Sequence, residues 1–137
     1  MDIHETGPKT PNNKKILVVE DEIPILKALT DKLTREGFIA LEATDGAEGL
    51  KIALRERPDA ILLDLVMPEM TGLDVLKNLR GANPWGKQVP VIILTNLDLD
   101  NNRLLREISE NEPSYYLVKS AWKIEDVVKK IKECVGI

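Results

Sequence analysis

Four short apolar runs in the chain each end at residues that carry functional groups. The runs cover residues 16–19, 61–63, 91–94 and 117–118, and they are followed by Glu20 and Asp21, by Asp64, by Thr95 and by Lys119. If the runs are parallel strands of one sheet, these side chains gather at the edge where open α/β sheets bind ligands. We therefore expect a site that combines three carboxylates with a hydroxyl and an ammonium group.

Three carboxylates held close together repel each other, so that one of them keeps its proton or the group takes up a cation. Mg²⁺ suits such oxygen ligands and typically combines one or two carboxylates with phosphate oxygens. With its charge shielded by the metal, an aspartate can attack a phosphoryl group, while Lys119 and Thr95 offer a cation and a donor to the phosphoryl oxygens. A merely solvated helix start at residues 20–22 is the alternative interpretation of the acidic run.

Composition narrows the possible functions. The chain has one histidine and one cysteine, so it lacks the ligands of a zinc site. The histidine, His4, lies in the polar leader, so no histidine in the body of the chain can act as a general base. A net charge of −4 does not indicate the basic surface that nucleic-acid binding requires, so we expect no direct nucleic-acid binding.

The length and the apolar pattern predict one domain without membrane insertion. A chain of 137 residues is expected to form a single domain, and no apolar run approaches the ~20 residues that span a bilayer. The start of the chain has no secretory signal pattern, and the single cysteine, Cys134, cannot form an internal disulfide. We therefore predict a cytoplasmic protein.

Residues 1–13 are predicted to be a flexible N-terminal tail and residues 14–137 a domain of alternating strands and helices. The predicted strands cover residues 16–19, 38–43, 60–64, 91–94 and 115–118. Pro24 opens the first helix and Gly37 ends it, and Asp45 with Glu48 forms a capping-box pattern before the second helix. Residues 81–90 are predicted to be a loop, and the helix that carries Ile108 has the weakest pattern.

The near-continuous apolar strands indicate a doubly wound parallel sheet covered by helices on both faces. Right-handed crossovers restrict the possible connections. The strand order 2-1-3-4-5 is the simplest arrangement that gives the helices two faces, and its crevice lies between strands one and three. Glu20, Asp21 and Asp64 would meet in that crevice.

The motifs resemble the receiver domain of two-component response regulators over about residues 14–135. The resemblance is carried by the acidic residues 20–22, by the string DLVMPEMTG that starts at Asp64, and by Thr95 and Lys119 at ordered intervals. It implies a flavodoxin-like receiver fold, in which a histidine kinase or a phosphotransfer protein phosphorylates Asp64. It also implies Mg²⁺ as cofactor, bound by Glu20, Asp21, Asp64 and the main-chain carbonyl of Val66.

The resemblance further implies a switch and a phosphoryl lifetime. Tyr116 matches the aromatic switch position of the family, which turns inward when the threonine side chain follows the phosphoryl group. Val66 and Leu97 flank the approach of water to the phosphoryl group, and because neither can orient a water molecule we expect slow loss of that group. The family usually has a cis proline after the lysine, whereas this chain has Ser120, so we predict a trans Lys119–Ser120 bond.

Two other functions share the fold or the chemistry. A phosphatase or phosphotransferase of the haloacid dehalogenase type needs a second aspartate two residues after the first, and Val66 occupies that position. A nucleotide or flavin binder would need a phosphate-binding loop, and the chain has no GxxxxGK[ST] motif. We therefore expect a signalling domain, not an enzyme. Because the chain ends near the expected end of its last helix, we expect a stand-alone receiver that acts through an unidentified protein target, with an excised domain as the alternative.

Overall fold

The computed structural model describes the backbone of residues 9–95, 102–111, 115–118 and 123–137, and the side chains of these residues except 95, 102–105 and 115–118. The strands are β1 (Lys15–Val19), β2 (Ile39–Ala43), β3 (Ala60–Asp64), β4 (Val91–Thr95) and β5 (Tyr115–Val118). The helices are α1 (Ile23–Arg35), α2 (Gly46–Glu56), α3 (Gly72–Ala82), α4 (Pro84–Gln88), α5 (Asn102–Glu110) and α6 (Ile124–Val135).

The five strands form one parallel sheet in the order β2-β1-β3-β4-β5, which confirms the predicted order. Alternate residues of each strand point to opposite faces of a sheet. Leu17 and Val19 of β1 accordingly belong to the core beneath one face, whereas Ile16 and Val18 belong to the core beneath the other. Burial on both faces explains why the central strands are continuous apolar runs.

Side-chain caps define where α2 and α3 begin. Asp45 accepts a hydrogen bond from the backbone N–H of Glu48 at 2.7 Å, which is one half of the predicted capping box, while the Glu48 carboxylate accepts from the N–H of Thr44 at 3.0 Å. Thr71 and Asp74 form a reciprocal capping box at the start of α3. Each pair satisfies backbone donors that a helix start otherwise leaves without partners. No helix in the described part of the chain is long and apolar enough to cross a membrane.

The predicted loop at residues 81–90 is wrong in two respects, because Gly81 and Ala82 belong to α3 and the segment also contains the short helix α4. Asn83 caps this helix by accepting a hydrogen bond from the N–H of Gly86 at 2.7 Å, and Pro84 occupies its first turn. Gly86 also packs so closely on α3 that an added Cβ would lie 2.1 Å from the carbonyl oxygen of Leu79. Five residues are too few to show a helical period, so the pattern of apolar residues could not reveal this helix.

Residues 9–14, which we call the N-terminal segment, pack against the end of α1. The N–H of Lys9 donates to the carbonyl of Arg35 at 2.7 Å, and the N–H of Asn12 donates to that of Gly37 at 3.1 Å. Gly37 has a φ of +95°, and an added Cβ there would lie 2.4 Å from the carbonyl oxygen of Thr10. The division into a flexible tail and a domain at residue 14 stays a prediction, since residues 1–8 lie outside the described part.

Candidate functional site

The acidic residues lie where two neighbouring strands end. Val19 of β1 pairs with Leu63 of β3, so Glu20 and Asp64 each follow one position later along adjacent parallel strands. The parallel register therefore brings together carboxylates that are 44 residues apart in sequence. Asp21 comes directly after Glu20, before α1 begins.

One carboxylate oxygen from each of Glu20, Asp21 and Asp64 lies within 4.8 Å of the other two. Glu20 is 1% exposed and Asp64 is 3% exposed, so two of the three negative charges are almost removed from water. Close carboxylates that are partly removed from water favour the binding of a cation. The cluster contains oxygen ligands alone, which fits a hard divalent cation such as Mg²⁺.

Backbone N–H groups orient both buried carboxylates. The N–H of Glu22 donates to Oε2 of Glu20 at 3.1 Å, and the N–H of Val66 donates to Oδ1 of Asp64 at 3.2 Å. The sequence did not predict these two donors, because they depend on how the backbone turns after β1 and β3. Each hydrogen bond fixes the position of one carboxylate oxygen and restricts the rotation of the group.

Two glycines allow the loop after Asp64 to pack closely on the helices beside it. A Cβ at Gly72 would lie 2.2 Å from the carbonyl oxygen of Asp64, and a Cβ at Gly46 would lie 2.4 Å from that of Met70. The N–H of Gly72 also donates to the carbonyl of Leu65 at 3.1 Å. Gly72 ends the string DLVMPEMTG, but the sequence did not show why a glycine is required there. The starts of α2 and α3 therefore hold this loop in place.

Val66 is exposed next to the Asp64 carboxylate. The residue is 51% exposed, among the most exposed of the large apolar residues described. An aliphatic side chain thus stands at the surface two residues after the candidate nucleophile, while its N–H contacts the Asp64 carboxylate. The predicted roles of its carbonyl as a metal ligand and of its side chain in phosphoryl lifetime remain predictions.

The other predicted site residues fall at the boundary of the described part. Thr95 is the last residue of β4 and pairs with Val118 of β5. Tyr116 lies on β5 opposite Ile93, but neither the side chain of Thr95 nor that of Tyr116 is described. Lys119, which follows β5 in sequence, and Leu97 lie outside the described residues, as does the predicted trans bond between residues 119 and 120.

Comparison with known proteins places the chain in a family. A family model described as the response regulator receiver domain matches residues 16–132. The probable transcriptional regulatory protein TcrX of Mycobacterium tuberculosis is 35% identical over 117 residues, which cover 85% of this chain and 47% of TcrX. The chain thus spans less than half the length of this relative. It belongs to the response regulator receiver domain family.

Solved structures of receiver domains share the fold. The receiver domain of the Francisella response regulator 1452 matches with a TM-score of 0.79 and 29% identity, covering 90% of this chain and 98% of that one. The receiver domain of the sensor histidine kinase PA1611 from Pseudomonas aeruginosa matches with a TM-score of 0.75 and 27% identity, covering 91% and 99%. Its structure is described with a magnesium ion coordinated in the active-site cleft.

The family match confirms the predicted flavodoxin-like receiver fold and the assignment to two-component signalling. The match covers the acidic residues at 20–22 and the string after Asp64, and it favours the receiver over the haloacid dehalogenase alternative. The structure adds that Glu20, Asp21 and Asp64 together could hold a metal ion.

Proposed function

We propose that Asp64 is the phosphoacceptor of this receiver domain and that its phosphorylation switches a protein–protein interaction. The observation that carries the proposal is the buried carboxylate of Asp64, oriented by the N–H of Val66 and placed within 4.8 Å of two further carboxylates. The carboxylate of such an aspartate is already positioned at the end of its strand for attack on a phosphoryl group. It lies beside a group of oxygen ligands that suits a divalent cation.

The proposed reaction is an in-line displacement at phosphorus. An Asp64 carboxylate oxygen forms the new P–O bond, and the P–N bond to the donor histidine breaks, with its electron pair leaving on the histidine nitrogen. A histidine kinase or a phosphotransfer protein supplies this phosphohistidine. We expect no turnover of any other substrate, since the chain acts on the phosphoryl group that it carries itself.

Glu20, Asp21, Asp64 and the main-chain carbonyl of Val66 would hold Mg²⁺ in this proposal. The bound ion supplies positive charge that offsets the charge of the carboxylates and of the incoming phosphoryl oxygens. Glu20 is buried and is fixed by the N–H of Glu22, so its ligand oxygen is already in position before the ion binds. Asp21 is accessible to solvent and can adjust when a cation enters.

The switch is proposed to run through β4 and β5. Thr95 ends β4 and Lys119 follows β5 in sequence. A phosphoryl group on Asp64 would therefore be bound by residues at the ends of the two strands that follow β3 in the sheet. Tyr116 is the proposed aromatic partner in this change. The phosphoryl group can shift the equilibrium only by binding one arrangement of these residues better than the other. The downstream protein, and the cytoplasmic location, stay predictions from sequence.

The test uses acetyl phosphate as the phosphoryl donor and intact-mass spectrometry as the readout. We expect one phosphoryl adduct on the unmodified chain in MgCl₂ and none when the metal is removed with EDTA. The variant Asp64→Asn keeps the size of the side chain but removes the nucleophilic carboxylate, and it should form no adduct.

The matched control is Asp31→Asn, which removes an exposed carboxylate on α1 and should leave the adduct unchanged. A full adduct on the Asp64→Asn variant would show that the phosphoryl group goes elsewhere. An adduct that forms equally well in EDTA would overturn the assigned role of the acidic cluster. Either result is read directly from the mass, without a partner protein.

A further inference from the structure

A groove lined by lysines lies between α1, α6 and the N-terminal segment. It is an open groove of about 290 Å³, and its lining consists of four lysines (Lys9, Lys32, Lys129 and Lys132), two glutamates and Val128. The groove adjoins the C-terminal end of α1, whereas the acidic cluster adjoins the other end of that helix. It is therefore a second polar feature, separate from the candidate phosphoacceptor site.

Three ammonium groups converge on one carboxylate at the base of this lysine groove. Glu36 contacts Lys132 at 2.7 Å and Lys9 at 3.2 Å through Oε1, and Lys32 at 3.5 Å through Oε2. Burial alone raises the pKa of Glu36, but the hydrogen bonds from Lys132 and Lys9 outweigh it and lower the pKa to about 2. Glu36 therefore stays ionised at neutral pH and holds the lysines in place.

The groove carries an excess of positive charge although the chain as a whole is acidic. Its four lysines outnumber its two glutamates by two, against a net charge of −4 for the whole chain. Lys129 is exposed, and within the described residues it makes no ion pair. Each ammonium group can donate three hydrogen bonds, so the lysines that contact Glu36 keep capacity for a further anion.

We propose that the lysine groove binds an acidic segment of a partner protein. Complementary charge is the basis of this assignment, because Val128 is the single apolar residue in the lining and offers little hydrophobic contact. Three of the lysines are already ordered by Glu36, so binding a carboxylate costs little additional side-chain entropy.

The groove depends on a residue outside the family match. Lys9 belongs to the N-terminal segment, whereas the match begins at residue 16. The backbone of Lys9 is fixed by its hydrogen bond to Arg35, and its ammonium group by Glu36. The N-terminal segment therefore supplies part of a surface that the matched residues alone do not form. The proposal does not require phosphorylation of Asp64.

The test measures binding of a short fluorescent peptide rich in glutamate to the full chain, by fluorescence anisotropy. We expect binding that weakens as the salt concentration rises, since exposed charge pairs are screened. The variant Lys129→Glu should weaken the affinity about fivefold, and it breaks no ion pair in the described part of the chain. The control Lys77→Glu, which changes an exposed lysine on α3, should bind as the unmodified chain does.

Three further comparisons decide the outcome. A peptide with glutamine in place of glutamate should not bind, and thermal unfolding should show that both variants are folded. Equal binding of the glutamine peptide, or equal weakening by Lys77→Glu and Lys129→Glu, would overturn the proposal. It would also be overturned by a single-stranded oligonucleotide that binds the groove more tightly than the acidic peptide.

Discussion

The close approach of Gly72 to the carbonyl oxygen of Asp64 makes the variant Gly72→Ala a direct probe of how the site is built. Gly72 is the first residue of α3, and an added Cβ there would lie 2.2 Å from that oxygen, 2.8 Å from Cα of Leu65 and 2.9 Å from the carbonyl carbon of Asp64. All three contacts involve backbone atoms, which cannot rotate away as the end of a flexible side chain can. Either α3 or the end of β3 has to move.

The size of the displacement sets the expected effect. Ordinary contacts of a Cβ atom are 3.4–4 Å, so the two backbones have to separate by about an ångström. Overpacking of this kind lowers the free energy of unfolding by about 1–3 kcal/mol. The better helix propensity of alanine offsets less than ~1 kcal/mol of this loss. A misplacement of about 1 Å can slow a positioned reaction by up to ~100-fold. We expect phosphorylation to slow by at least about tenfold.

The control is Gly81→Ala in the same helix, where an added Cβ meets no atom within 4 Å. This change should leave the phosphorylation rate unchanged and raise the free energy of unfolding by about 0.5–1 kcal/mol. Urea unfolding gives the stabilities, and the intact mass after mixing with acetyl phosphate gives the rates. The reasoning is refuted if Gly72→Ala matches the unmodified chain in both measurements, or if the two variants behave alike.

Three other predictions concern the ion pairs of Glu36, one peptide bond and the phosphoryl lifetime. Because the pKa of Glu36 is lowered from 4.5 to about 2 in the folded state, its ion pairs stabilise the fold above pH 4.5, and this contribution is lost as the pH falls from 4.5 towards 2. Glu36→Gln should therefore lower the free energy of unfolding by about 1–2 kcal/mol at pH 7, a value reduced to allow for the solvent around the lysines. Urea unfolding should show a progressively smaller difference between the variant and the unmodified chain below pH 4.5. A difference that does not depend on pH would contradict this prediction. The Lys119–Ser120 bond should be trans, because a cis bond before a residue other than proline costs ~2.5–4 kcal/mol, and clear crystallographic density for a cis bond would disprove it. The double variant Val66→Asn with Leu97→Glu should lose its phosphoryl group faster after the donor is removed, since polar side chains can orient the attacking water; an unchanged decay would show that these residues do not set the lifetime.

Strand order and strand ends could be predicted because the sheet is buried on both faces. Each central strand is then an uninterrupted apolar run, and its end is marked by the first polar residue, as at Glu20 and Asp64. The rule that crossovers are right-handed leaves few ways to connect such strands. Helix α4 was missed because its determinants are local turn chemistry at Asn83 and Pro84, and these residues are equally common in loops without a helix.

The placement of the acidic cluster could be predicted from the sequence, but the backbone contacts that hold it in place could not. Parallel register alone brings Asp64 beside Glu20, so the sequence sufficed for that juxtaposition. The close contacts of Gly46 and Gly72 are made between backbones of elements that meet only in the folded chain. A glycine in a sequence does not show whether it serves a turn, a helix end or such a contact. Contacts of this kind become visible only with coordinates.

The orientation of the buried carboxylates explains how the fold tolerates the site. An ionised carboxylate without partners is costly to bury, yet Glu20 and Asp64 are both nearly inaccessible to water. Each accepts a backbone N–H from the residue two positions later, Glu22 and Val66 respectively. The turns that end β1 and β3 therefore supply a donor whatever side chain follows. The side chain of Val66 can therefore be exchanged without loss of the hydrogen bond that its N–H donates to Asp64.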